Sequence, residues 1–151
     1  MDKLNDILNN PQFRRCLKII SNHEKNRIFC KHGTPHLESV ANIALKLNKL
    51  EGLNIDPEII YAAAYLHDIG RSDTKSGVPH AHASVKLAKP ILEQADFSED
   101  EITLIIKAIR HHSEQESASA EGLVRILYLA DVKSRNCSIC KAKAKCKNHL
   151  S

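Results

Sequence analysis

The sequence predicts an all-α protein, a single-domain helical bundle, and three observations carry that prediction. Apolar residues recur at the helical period along almost every patterned segment. No stretch sustains a two-residue alternation with β-branched enrichment. A short polar residue stands directly before a proline at Thr34-Pro35 and again at Asp56-Pro57, the arrangement that opens helices. At 151 residues the chain is long enough for one domain with a real core and too short for two ordinary ones.

The elements follow in order. Residues 11–22 form a first helix, with Pro11 at its start and Phe13, Leu17 and Ile20 on one face. A second, 34–50, takes Thr34 as its hydroxyl cap and carries His36, Val40, Ile43, Ala44 and Leu47 on one stripe. Asp56 caps a third that runs through Ile60, Ala63 and Ala64 to His67 and is ended by Gly70. Residues 71–79, RSDTKSGVP, read as a polar loop placed to lie over a site. The next helix, 80–94, contains Pro90, which is expected to kink or end it. Ser98 and Glu101 make a capping box before the stripe Ile102, Ile105, Ile106 and Ile109, which ends at His111-His112. A last helix, 121–134, puts Val124, Leu127 and Asp131 on one face. The helical domain thus covers 1–135 and a basic, cysteine-containing tail covers 136–151, with no internal repeat or low-complexity linker.

Composition narrows the chemistry. Nine histidines stand against three Phe, three Tyr and no Trp, so histidine is used for its nitrogen chemistry more than as core filling. No apolar run of membrane-spanning length and no secretory leader is visible, which predicts a cytoplasmic protein without a membrane partner. In that setting five cysteines read as thiols or metal ligands rather than disulfides. The net charge of +4 is spread out until the tail and points to anionic ligands.

His36, His67 and Asp131 lie on the apolar faces of three different helices, so each is aimed inward. Burying such groups unpaired costs several kcal/mol, about 2–7 for a neutral polar group and more for a charge. A single histidine on an apolar face is ordinarily a hydrogen-bonded core residue. Several on facing helices instead suit zinc, iron or manganese, which bundles hold with inward side chains. His32 precedes His36 by one helical turn, His80 opens a helix, and His111-His112 closes one.

His36 followed by LESVANIA, then LHDIGR, PHAHASVKLA, AIRHHSE and ILYLADVKSR, resembles in order the motifs of the HD superfamily of metal-dependent phosphohydrolases. The resemblance spans residues 32–135 and implies a helical HD-domain bundle in which His36, His67, Asp68 and Asp131 hold one metal, with Asp68 bridging to a second. In members with two or three metals, further ligands match His80, His111 and His112, and in some members a ligand matches His32. The expected cofactors are therefore two divalent ions, iron, manganese or zinc. Asp68 and Arg71 are the expected catalytic residues, the latter with a guanidinium fork suited to phosphate. His82 reads as a surface residue.

The resemblance also implies the activity: hydrolysis of a phosphate ester or anhydride of a small nucleotide, through a metal-activated water. The expected partner is that small phosphorylated substrate and not a nucleic acid. A cyclic dinucleotide is disfavoured, since HHSEQESASAEG lacks the Gly-Tyr-Pro that follows the histidine pair in that subgroup. Tyr61, Tyr65, Tyr128 and Phe97 are the few rings available to stack a base. Two other readings stay open: an HD-type binuclear iron oxygenase, and a non-catalytic metal or redox sensor. In the tail, Cys137, Cys140 and Cys146, with Cys30 supplying a fourth thiolate, resemble the arrangement in certain uncharacterised bacterial HD proteins. That implies a structural zinc site or an iron–sulfur cluster, against a cationic tail with incidental thiols. Cys16 reads as a small buried hydrophobe.

Overall fold

Local start signals set where most helices begin. The computed structural model describes residues 1–25 and 32–135. It contains α1 (Asp2–Leu8), α2 (Pro11–His23), α3 (Thr34–Leu50), α4 (Pro57–Leu66), α5 (His80–Gln94), α6 (Glu99–His111) and α7 (Gly122–Lys133), with 3-10 turns at Ile69–Ser72 and Gln115–Ser119. No strand occurs among the described residues, so the all-α expectation holds. Asp56 Oδ1 accepts from the Glu58 N–H at 2.9 Å and caps α4. At α6 the capping box is complete: Ser98 Oγ accepts from the Glu101 N–H at 3.2 Å and Glu101 Oε1 from the Ser98 N–H at 2.9 Å. Asn10 caps α2, its Oδ1 accepting from the N–H groups of Gln12 and Phe13 at 2.9 and 3.2 Å.

Three expectations about elements need correction. The cap of α3 is Gly33, whose carbonyl accepts from the N–H groups of His36 and Leu37; Thr34 is already the first helical residue. Of the two outcomes expected of Pro90, a kink or an end, the end does not occur: α5 continues to Gln94. The carbonyl that loses its donor there belongs to Lys86, an exposed residue. Gly70 is not a left-handed helix terminator: α4 stops at Leu66, and Gly70 lies within the 3-10 turn. Its lack of a side chain serves packing, because a Cβ there would come within 2.2 Å of the His80 carbonyl oxygen and 2.3 Å of the Ser84 nitrogen.

α4 is the central element. From Ala62 to Gly70 every residue is buried, and the helix packs against α3 and α6, with further contacts to α1, α5 and α7. α7 lies against α3 and α6, whereas α5 and α2 both pack on the 3-10 turn after α4. One apolar cluster joins Ile7, Phe13, Val40, Ile60, Leu66, Ile91, Ile105, Ile109, Ile126 and Leu127, drawing on all seven helices. Cys16 is a buried member of it, as its place on α2 suggests. The architecture therefore presents the end of α4 to the start of α3, the start of α5 and the ends of α6 and α7. Those are the places where the sequence puts its histidines and aspartates. None of the described helices is long and apolar enough to cross a membrane.

Candidate metal centre

His67 is the residue immediately after α4, and its ring is completely buried. Its Nδ1 donates to the Ala64 carbonyl at 2.5 Å, which leaves Nε2 directed into the site. His112 repeats the device at the end of α6, with Nδ1 donating to the Ile109 carbonyl at 2.6 Å. His36, near the start of α3, has its Nδ1 3.4 Å from Ser134 Oγ. That hydroxyl donates to the Asp131 carbonyl at 2.7 Å, so it can accept the His36 proton and leave Nε2 inward. Three imidazoles are thus oriented by groups outside the site, each offering Nε2.

The inward atoms make two groups. In the first, His36 Nε2 lies 3.3 Å from Asp68 Oδ2 and 3.2 Å from Asp131 Oδ1, while His67 Nε2 lies 3.1 and 3.4 Å from the same two oxygens. These four atoms are buried, yet none has a partner in hydrogen-bonding geometry. Four ligands about 2.1 Å from one ion stand roughly 3.0 to 3.4 Å apart along the edges of an octahedron or tetrahedron. The observed spacings match, so a divalent cation fits this donor set. In the second group Asp68 Oδ1 lies 3.3 Å from His112 Nε2 and 3.6 Å from His80 Nε2, and the two imidazole nitrogens are 3.3 Å apart. Within each group the donor atoms all lie within 4.8 Å of one another. Asp68 belongs to both, through a different oxygen in each.

The charges of the site are strongly coupled. Burial pushes the His67 imidazolium toward losing its proton, but the Asp68 and Asp131 carboxylates outweigh it and raise the group to about 10. His36 is raised in the same way against its burial, by Asp131 and Asp68. Burial opposes ionisation of both aspartates, and the facing imidazoles reverse this, holding each carboxyl well below its usual range. His80 is driven down to about 4 by burial and by the neighbouring Arg71 guanidinium, which keeps its ring neutral and able to ligate.

The remaining predicted residues do not all join these groups. Arg71 donates from Nε to Asp68 Oδ1 at 3.2 Å, and its Nη2 faces His80 Nε2 at 3.5 Å, so it stands beside the second group. His32 is buried, with its ring centroid 5.5 Å from that of His36, but it is not part of either group. Its backbone N–H and Nδ1 are both taken by Glu24, at 2.7 and 2.5 Å. His111 departs from expectation. Its Nδ1 pairs with Glu114 on the outer side of α6 and it joins neither group, because adjacent helical residues point about 100° apart and His112 is the one in register with Ile105 and Ile109. His82 is exposed. Cys30, Cys137, Cys140 and Cys146 lie outside the described residues.

Sequence reasoning passed over several contributors. Arg135 Nη2 reaches Asp131 Oδ2 at 3.2 Å, and its i+4 spacing from Asp131 was a readable signal. Ser84 Oγ accepts from the Gly70 N–H at 2.7 Å and fixes the turn that carries Asp68. Glu24 had no local signal, since its partner lies eight residues away, beyond the reach of i,i+3 and i,i+4 spacing.

The sequence matches the HD domain family over residues 35–136, and the chain belongs to that family, a superfamily of metal-dependent hydrolases. It is similar to an uncharacterised protein of Clostridium beijerinckii (strain ATCC 51743 / NCIMB 8052), 40% identical over 147 residues, which covers 97% of this chain and 92% of that one. No solved structure matches.

Proposed function

We propose that the protein is a metal-dependent phosphohydrolase acting on an ester or anhydride bond of a small nucleotide. The observation that carries this reading is Asp68, whose two buried oxygens face separate donor groups. His36, His67, Asp68 and Asp131 would hold one divalent ion, and Asp68, His80 and His112 a second, with iron, manganese or zinc suited to these donors. Two such cations sharing a carboxylate supply a water activated at neutral pH and positive charge for the phosphoryl oxygens. The protein's own contributions are then specific. Asp68, fully enclosed, fixes the relation between the two groups. The Ala64 and Ile109 carbonyls and Ser134 hold the imidazoles so that the reacting centre needs no rearrangement. Arg71, partly exposed beside Asp68, offers its remaining N–H donors to a substrate phosphate.

The test is a phosphate-release screen across nucleotides, using protein purified anaerobically without a histidine tag and reconstituted with iron or manganese. Release from one nucleotide class, lost in Asp68→Ala, is the expected result. Oxygen uptake on a carbon substrate with ferrous iron and no phosphate release would replace this reading with the oxygenase one. Retained metals with neither activity would replace it with a sensor.

A further inference from the structure

A cavity of about 250 Å³ lies between the end of α2 and the turn that follows Asp68. Its described lining is Ile20, His23, Glu24, Arg71, Thr74 and His80. Of these, His80 belongs to the second donor group and Arg71 borders it, so the cavity opens directly beside the proposed reacting centre. We propose that it is a second anion subsite, and that the substrate therefore carries a further phosphoryl group next to the one attacked, as in a di- or polyphosphate. This rests on the phosphohydrolase reading and narrows it from esters to anhydrides.

The chemistry of the walls argues for an anion. Arg71 has five N–H donors, and its contacts with Asp68 and His80 leave others for a ligand. A neutral imidazole has one ring lone pair at its unprotonated nitrogen. If His80 Nε2 held a cation, that lone pair would be taken and Arg71 Nη2 would keep its N–H for a ligand. His23 adds a ring N–H and Thr74 a hydroxyl, both on exposed residues at the cavity edge. The acidic wall residue, Glu24, is buried and its two oxygens are engaged by the His32 N–H and Nδ1.

Size argues against a base in this cavity. Pockets that enclose drug-sized organic ligands run to roughly 300–1,000 Å³. This one is smaller. A phosphoryl group with its hydration fits, and a nucleoside with its phosphates does not. The rest of a nucleotide would extend from the metal centre away from α2.

The experiment uses two non-hydrolysable probes on the full chain loaded with manganese: methylphosphonate and methylenediphosphonate, titrated calorimetrically, with metal content checked afterwards. Contacts from His23 and Thr74 to the second, anionic phosphonate predict about tenfold tighter binding of the diphosphonate. In a His23→Ala/Thr74→Val double variant the diphosphonate should lose most of that advantage while methylphosphonate binds as before. Equal affinity of the two probes in the wild type, or an advantage untouched in the double variant, would overturn the subsite and leave the phosphohydrolase reading standing. Binding of neither probe would overturn both.

Discussion

At the scale of single residues, the centre is held by a proton balance that predicts its pH behaviour. His67 is raised to about 10, above the ordinary value near 6.5, by Asp68 and Asp131 despite its burial. In protein stripped of metal, the charged ring therefore contributes stability that is fully present below pH ~6.5 and is lost as pH rises through about 10. The two aspartates, both lowered, contribute stability above the ordinary carboxylate range that is lost as pH falls below it. A metal needs the neutral ring, so a proton competes with it. Metal affinity should rise by roughly tenfold per pH unit between pH 7 and 9, as measured by chelator competition. A flat profile above pH 7 would contradict the assignment of His67. Ser134→Ala removes the acceptor for His36 Nδ1 and should weaken metal binding by about 10- to 100-fold with the fold intact by circular dichroism. Asp68→Ala should abolish turnover and lower metal content, since one residue serves both groups.

At the scale of elements, the turn after α4 is where packing and chemistry meet. Gly70→Ala drives a Cβ into backbone atoms of α5 at 2.2 and 2.3 Å, and backbone cannot swing aside as a side chain can. The expected cost is about 3 kcal/mol or more, with loss of metal binding, read by chemical denaturation and metal titration. Ser98→Ala is the contrasting case: loss of the α6 capping box should cost about 1 kcal/mol and leave metal affinity unchanged. A change in metal binding there would mean that the start of α6 is coupled to His112 at its far end. The helices were legible where periodicity was strong and caps were written locally, as at Asp56 and Ser98. They were not legible where context decided. α1 is a short helix without a side-chain cap, anchored by the fully buried Ile7. Gly33 and Thr34 compete for one cap, and the reason for Gly70 lies on another helix.

At the scale of the molecule, the buried helix α4 places one imidazole and one carboxylate at its end, and α3, α5, α6 and α7 each bring a further imidazole or carboxylate to that point. This convergence was readable because His36, His67 and Asp131 share faces with core residues; periodicity tells which way a side chain points. It could not tell that Glu24 would reach His32, since the two are eight residues apart and share no helix face. The choice between His111 and His112 was open to closer reading, since only the latter continues the Ile105 and Ile109 register. Because cation binding favours the folded state alone, manganese at 100 times its dissociation constant should stabilise the protein by about 2.7 kcal/mol per site, seen as a rise in Tm that a chelator reverses. The central claim is that Asp68 joins two metal positions, and its most direct test is a calorimetric titration with manganese, a cation that prefers these donors to thiolates. The account predicts two equivalents in the wild-type chain and one in His112→Ala. A single equivalent in both would contradict it.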